Sequence, residues 1–348
     1  MTAARSPLPA RLQDLPPVWA RFCLRVERFI LRAIGDIQGR HILLACSAGS
    51  DSLALLLVMQ ALTSRLNIRI SAAHLDHGLR QESRGEAKAL ADLCEATRTA
   101  LIVGRSNVGL FARKTGLGVE EAGRTLRYRF LLGMREKINA DMVMTAHHAD
   151  DLAEDVLMRL LRGAGWPGLA GMPAWDHTRR LARPLLHAPK SVLRAFLRAQ
   201  NLCWHEDPSN EEQRFLRNRI RHAIMPGIKQ EFPGMLRAIT QIHALGALDQ
   251  EYFATLLAPL IETGKYRHFL EQDKLEDMHP ALRLRLFKAV LDGMGPGQVR
   301  HDALLRLEQA WQENRRGAVI QFPGAKTATI AAQGIRFAVS SQIRRGEE

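Results

Sequence analysis

The chain contains no Gly-Lys-Ser or Gly-Lys-Thr, so it lacks the commonest nucleoside-triphosphate loop. It has no His-Glu-x-x-His, which removes the usual helical zinc-hydrolase signature. Its four cysteines, Cys23, Cys46, Cys94 and Cys203, form no Cys-x-x-Cys, so neither a zinc ribbon nor a thioredoxin-type dithiol is encoded. Scattered cysteines of this kind fit a reducing cytoplasm. No apolar run approaches the ~18 residues of a membrane span. The N-terminus lacks the basic-then-apolar order of a secretory signal. Acid is scarce. Thirty-six Asp and Glu face 49 Lys and Arg, a net charge of +13. That excess points to a polyanionic partner, nucleic acid or an anionic membrane surface.

Against these absences, one stretch stands out. Ile42–Cys46 is an apolar run of strand length, Ser47-Ala48-Gly49-Ser50-Asp51-Ser52 is a tight hydroxyl-rich turn, and Ser52–Met59 reads as a helix. A strand, a small-residue loop and a helix N-terminus make an anion site, because free N–H groups and the helix dipole face the loop. The only Gly-x-Gly-x-x-Gly match, Gly163–Gly168, follows a helical stretch and contains Pro167, so it does not mark a dinucleotide fold.

A chain of 348 residues is long for one core and suggests two domains. Up to about residue 235, short apolar runs (Ile42–Cys46, Ile68–His74, Ala100–Val103, Asp141–Thr145) alternate with helical stretches (Ser52–Ser64, Arg84–Arg98, Val119–Lys137, Asp151–Arg162). This alternation predicts an α/β fold with a mostly parallel, doubly wound sheet. Beyond Phe232-Pro233-Gly234 the pattern is helical over Met235–Ile261, Pro280–Met294 and Gln298–Gln312. Three short strands follow, Ala318–Phe322, Lys326–Ile330 and Ile335–Val339. The expected organisation is an N-terminal arm and helix (1–35), a catalytic domain (36–235) and a smaller, mainly helical C-terminal domain with short β elements (236–348). Residues 1–15 read as a loose arm, and its prolines argue against an amphipathic helix there.

In an open α/β sheet ligands bind beyond the carboxyl ends of the strands. The first strand is followed by Ser47–Ser52, the second by His74–Arg80 and the fourth by Ala146-His147-His148-Ala149-Asp150-Asp151. Titratable groups therefore gather at one edge. Asp150 and Asp151 also suit the start of a helix for dipole reasons alone. On Val119–Lys137, Glu120, Arg124 and Arg127 share one face, either a solvated ion-pair face or arginines reaching phosphate. Arg179–Arg198 and Gln213–Gln230 are free of acid, and Arg214, Arg217 and Arg221 share a helical face, which suits phosphate-backbone binding. Gly163–Met172 reads as a lid, a surface for an unstacked base, or a plain connection.

The Ser47–Ser52 loop resembles the SGGxDS loop of the PP-loop ATP pyrophosphatases. The further strings His74–Arg80, Glu120-Glu121-Ala122 with Arg124, Arg127 and Tyr128, Ala146–Glu154, Arg159–Gly165, Gly168–Met172, Arg183–Leu186, Trp204–Asn210 and Arg217–His222 are similar, in this order, to those of the tRNA(Ile)-lysidine synthetase family. They span roughly residues 40–235. The resemblance implies a ligase that uses ATP and Mg²⁺ to adenylate the wobble cytidine of a CAU anticodon, after which the ε-amine of free L-lysine displaces AMP from C2. It implies a cytoplasmic enzyme whose partners are tRNA(Ile) and lysine, without a membrane, and it allows a homodimer. It assigns Ser47, Ala48, Gly49, Ser50, Asp51, Ser52 and His74 to nucleotide binding. Asp51, His147, Asp151 and Arg127 fall to catalysis, and Asp51 and Asp151 to Mg²⁺. Arg124, Arg217, Arg219 and Arg221 fall to tRNA, as does the helical C-terminal domain (236–348). Lysine's proton acceptor is expected to be His147 or Asp151. Two other readings share the fold, a tRNA-thiolating enzyme and a non-catalytic RNA-binding protein. The family's first loop glycine is Ala48 here, which costs ~1–2 kcal/mol if the position needs φ > 0. The family's longer members carry a further terminal domain, which the resemblance does not extend to this chain.

Overall fold

The computed structural model describes residue 8 and residues 11–76, 83–204, 216–262 and 268–339. The chain divides into two compact units, residues 1–154 with 172–240, and residues 155–171 with 241–348. The segment 155–171, placed by sequence within 36–235, thus groups with the C-terminal unit.

The first unit is built on six strands: β1 (His41–Ala45), β2 (Arg69–Asp76), β3 (Ala100–Arg105), β4 (Met142–Met144), β5 (Trp175–Asp176) and β6 (Leu181–Ala182). Their order is β3-β2-β1-β4-β6-β5, parallel except for β5. Ile42 stands opposite Ile70 on one side and Met142 on the other, and all but the last residue of β1 are buried. The unbroken apolar run follows from this, because a parallel strand covered on both faces has no solvated side to alternate toward. β1 is the switch point of the sheet. The chain leaves it first toward β2 and β3 and later returns on its other side as β4. The crevice for a ligand lies at the carboxyl ends of β1 and β4.

Helix α2 (Ser50–Leu66) follows β1 and is buried from Leu53 through Met59, apolar nearly all round because it is enclosed. Helices α3 (Ser83–Ala96), α4 (Val108–Thr115), α5 (Val119–Lys137), α6 (Ala149–Leu161) and α7 (Lys190–Ala199) complete the layers. Gly104 on β3 lies flat under Phe130 of α5, whose ring would be 2.4 Å from an added Cβ.

Helix α1 (Pro17–Ala33) lies within the stretch 1–35 expected to hold an arm and a helix, and begins after the arm read at 1–15. Pro17 occupies the first helical position, where its missing N–H costs nothing. Phe22, Cys23, Val26 and Ile30 are buried, and Trp19 and Phe22 pack on Phe196 of α7. Leu12–Asp14 form a short 3-10 turn before it, and residues 1–7 and 9–10 of the expected arm lie outside the described residues. The tract Arg179–Arg198 is not one face. It divides among a turn, β6 and α7. Helix α8 (Leu216–Arg219), a π turn at Ile220–Ile224 and α9 (Met225–Glu231) run on from one another.

In the second unit α10 (Met235–Glu262, from residue 241 onward), α11 (Gln272–Glu276), α12 (Pro280–Gly293) and α13 (His301–Gln312) accompany an antiparallel sheet. Its strands are β7 (Phe269–Glu271), β8 (Val319–Phe322), β9 (Lys326–Ala331) and β10 (Gly334–Val339), ordered β7-β10-β9-β8. Phe287, Leu291, Leu307, Ile330 and Phe337 form its core. Lys326 is 1% exposed, and its ammonium donates to the carbonyls of Leu291, Gly295 and Gly297. The Gly163–Met172 segment is pinned rather than free. Trp166 Nε1 donates to Asp249 at 2.6 Å, Arg159 donates to Gly168 O at 2.9 Å, and Arg285 reaches Trp166 O at 3.4 Å.

Candidate active site

The site residues come from the loops after β1 and β4 and from α5, α6, α7 and the α8–α9 stretch, all in the first unit. The Ser47–Ser52 loop is shaped by its own hydroxyls. Ser52 Oγ accepts from Ser47 N–H at 3.0 Å and donates to Gly49 O at 3.0 Å. Gly49 is the N-cap of α2 and gives no side-chain cap, so the first-turn N–H groups are left for an external acceptor. Ala48 has φ +61°, the left-handed conformation that its family's glycine would adopt freely. His74 is buried, with Nδ1 3.0 Å from Cys46 O, so it braces the end of β1 from behind. His77 to Arg80, and His205 to Asn210, lie outside the described residues.

His148, 2% exposed, is the hub of the acidic cluster. Its Nε2 lies 3.4 Å from both Asp51 and Asp151, and its Nδ1 lies 3.6 Å from Asp150. Burial pulls its pKa down, but the surrounding carboxylates Asp151, Asp51 and Asp150 outweigh this and raise it. The opposite balance holds at the carboxylates. Burial raises the Asp51 carboxyl, while His148 and Lys190 hold it below its ordinary value. Burial likewise raises Asp151, and His148, Arg217, His147 and Arg221 hold it far below. Asp150 is kept low against burial by Lys229, by the Lys190 N–H and by His148.

Arg217 and Arg221 are placed differently from the sequence reading of a phosphate-facing helix. Arg217 donates from Nε to Glu154 at 3.0 Å and from Nη2 to Asp151 at 3.1 Å. Arg221 donates to Glu154 at 2.6 and 2.8 Å and to Asp151 at 2.9 Å. Glu154 is 3% exposed. The four-residue spacing that suited a phosphate backbone instead aims both guanidiniums at two carboxylates one turn apart on α6. Arg214 lies outside the described residues, and Arg219 is exposed on α8.

His147 lies apart from the carboxylate hub, its Nδ1 2.8 Å from Thr145 Oγ1. Burial pushes its pKa down to about 3, with Arg183, Arg217 and Arg127 reinforcing the shift and Asp151 opposing it. The imidazole is neutral and weakly basic. Arg127 has its own pKa lowered by desolvation and by Arg124 and Arg217. Arg124 and Arg179 both stack on Tyr128, at 5.2 and 5.8 Å from the ring. Arg124, Arg127, Arg179 and Arg183 thus concentrate positive charge on one side of the site, and the acidic side is already neutralised. Among the described residues, Asp51, Asp150, Asp151 and Glu154 are matched by Lys190, Lys229, Arg217 and Arg221, with His148 in excess.

The donor set fits magnesium in one way only. No group of three or more His, Cys, Asp or Glu among the described residues is placed to hold a metal. Asp151 has Oδ1 taken by two arginines and Oδ2 by the His148 N–H, so it is not free to share a cation with Asp51. Asp51, whose Oδ1 receives only the Ser50 hydroxyl, is the carboxylate that fits an ion arriving on a triphosphate.

Sequence reasoning brought together Asp51, His147, Asp151 and the loop. It did not single out His148 as the hub, and it gave no individual role to Arg179, Arg183, Lys190 or Lys229, all of which lie in its two acid-free tracts. Lys190 carried a signal, since Pro189-Lys190 opens a helix inside an acid-free tract. Cys23, Cys46 and Cys94 are buried, with thiols pushed up by burial, Cys23 to about 12, so they are not nucleophiles. No helix among the described residues is long and apolar enough to cross a membrane.

Parallel strands ordered 3-2-1-4, an uncapped hydroxyl loop at the switch point and an aspartate in the first helical turn define the PP-loop class of ATP-using enzymes. Residues 23–228 match the family model described as a PP-loop domain. The chain is 40% identical to the tRNA(Ile)-lysidine synthase of Nitratidesulfovibrio vulgaris, over 86% of this chain and 92% of that one. It is 36% identical to the tRNA(Ile)-lysidine synthase of Geobacillus kaustophilus, over 67% of this chain but 51% of that one. The chain belongs to the tRNA(Ile)-lysidine synthase family, a family of ligases. It spans nearly the whole of the first relative and about half the length of several others. Among solved structures, the U34-tRNA thiolase of Methanococcus maripaludis shares the fold, with a TM-score of 0.52 at 16% identity, over 65% of this chain and 78% of that one.

Proposed function

We propose that this chain joins free L-lysine to C2 of the wobble cytidine in the CAU anticodon of a tRNA(Ile), consuming ATP and releasing AMP and pyrophosphate. The observation that carries this reading is the meeting, at the β1/β4 switch point, of an open N–H cradle with Asp51 and an arginine-lined wall. In the first step the cytidine O2 attacks the α-phosphorus of ATP, an O–P bond forms, and pyrophosphate leaves into the cradle of Ser47–Ser52. Mg²⁺ held by Asp51 would neutralise charge on the departing pyrophosphate. Arg124 and Arg127 are the groups offered to the adenylated base or its phosphate.

In the second step lysine Nε attacks C2 and the C2–O bond breaks, releasing AMP. His147 and Asp151 are both poor acceptors for an ammonium proton, since each is held well below its usual basicity. Arg183, Arg217 and Arg127, the guanidiniums that discharge His147, would depress an incoming ammonium in the same way, so the proton passes to water before attack. A cytoplasmic location fits a tRNA substrate.

The test is tRNA transcript incubated with ATP and labelled lysine. Lysine should enter the transcript with stoichiometric pyrophosphate release. Asp51→Ala should abolish both while the circular dichroism spectrum is retained. Pyrophosphate release with no lysine in the RNA would refute the assignment.

A further inference from the structure

The outward face of α1 carries Arg21, Arg25, Arg28 and Arg32, at i, i+4, i+7 and i+11. At 100° per residue all four fall within about 60° of one another, and at 1.5 Å rise they form a line about 16 Å long. All four are exposed. The one acid between Asp14 and Asp36 is Glu27, which is turned inward and bound by Arg65 at 2.8 Å. Among the described residues no carboxylate pairs with any of the four. Arg21 and Arg28 touch only carbonyls of their own helix, at 3.2 and 3.4 Å, and Arg25 leans on Phe22 at 5.9 Å.

Some exposed arginines elsewhere are answered by acid, Arg40 by Asp141, Arg179 by Asp176, Arg300 and Arg306 by Asp302, Arg315 by Glu313, while others such as Arg98, Arg113 and Arg237 have no carboxylate partner among the described residues; what sets α1 apart is four such arginines in one line along a single helix. Four like charges in a row repel, and among the described residues none is met by a carboxylate, so their counter-charge comes from outside. We propose that the arginine line of α1 is a docking surface for the phosphodiester backbone of RNA, holding the tRNA at a place other than its anticodon. This rests on the reading that a tRNA is the substrate. Guanidiniums spaced along a rigid helix match a chain of phosphates, and such contacts position a nucleic acid without reading its sequence. An anionic membrane fits less well. The apolar side of α1 is spent on the core through Phe22, Cys23, Val26 and Ile30, leaving Val18 and Leu31 as its exposed apolar residues.

The experiment compares the wild type with R21Q/R25Q/R28Q/R32Q and with R300Q/R306Q/R315Q/R316Q, which lowers net charge equally elsewhere. Affinity for a tRNA(Ile) transcript is measured from about 50 to about 200 mM salt. The α1 variant should bind at least about tenfold more weakly at the low end. Its slope of log affinity against log salt should fall by up to about 3, at 0.7–0.9 per lost phosphate contact. Its KM for tRNA should rise with kcat unchanged, and its circular dichroism should match wild type. An unchanged affinity and slope would overturn the proposal, as would an equal loss in the second variant, which would make the effect one of net charge. Sedimentation with phosphatidylserine–phosphatidylcholine vesicles is the remaining arm. Arginine-dependent vesicle binding with unaltered RNA affinity assigns the surface to a membrane and also overturns it. A wild type that binds transcript in this way but incorporates no lysine would refute the enzymatic reading and leave the RNA surface standing.

Discussion

Arg217 and Arg221 give the sharpest stability test, because the sequence reading and the structure assign them opposite surroundings. As solvated cations their removal would cost a few tenths of a kcal/mol. In the structure they share Asp151 and Glu154, which are 13% and 3% exposed at the side chain, and they donate five charge-assisted hydrogen bonds. Each such bond contributes about 1.5–3 kcal/mol at most, and breaking a buried pair costs about 3–5 kcal/mol. A single Arg→Met leaves the other guanidinium on both carboxylates, so about 1.5–3 kcal/mol is expected for each variant. The double variant leaves Glu154 with no cation and should exceed the sum of the singles by about 1–2 kcal/mol. Urea denaturation of the four proteins at pH 7.5 measures the cycle. Single and double variants all within about 0.5 kcal/mol of wild type would show that the two arginines are solvated, and the account of the neutralised acidic wall would fall.

Ala48→Gly relieves a left-handed alanine worth ~1–2 kcal/mol but loses a buried methyl (~0.8 kcal/mol) and adds chain entropy (~0.5–1 kcal/mol), so thermal stability should barely move while Ala48→Val lowers it clearly. Gly104→Ala drives a methyl to 2.4 Å from the Phe130 ring and should cost about 1–3 kcal/mol, read as a lower urea midpoint. His147 is held neutral in the fold with its pKa lowered to about 3, so it contributes stability at neutral pH that is lost as pH falls from about 6.5 toward 3. His147→Gln should flatten the acid limb between those values by up to about 1.4 kcal/mol per pH unit, and an unaltered limb would show that the imidazole is solvated.

The parallel core was legible because burial on both faces leaves no choice but apolar runs. Ile42–Cys46 was read within a residue of β1, and Val119–Lys137 coincides with α5. β5 and β6 were not legible. Two residues apiece give no periodicity, and their pairing is dictated by β4. The helix expected within 1–35 had no bounds in the sequence reading, because prolines there weigh as breakers, whereas Pro17 at the first helical position is an initiator. In the site, the residues that follow β1 and β4 announce themselves through the sheet rule. The partners of Asp150, Asp151 and Glu154 come from 40 to 80 residues later, and no local pattern distinguishes an arginine that meets a carboxylate from one that meets water.

The position of β1 has a consequence for synthesis. β1 is a central strand, yet its neighbour β4 is encoded almost a hundred residues later. A nascent chain that has produced β1, β2 and β3 already holds three of the strands in order, with the β4-facing edge of β1 bare, apolar and unpaired. That edge is a template for a stray strand from another chain until residues 142–144 emerge and insert. The crevice proposed for the nucleotide lies along this same seam, so on that reading it is created by the closing of the aggregation-prone edge. A ribosome-bound fragment ending short of β4 should therefore be both sticky and unable to retain ATP, and the two properties should disappear together.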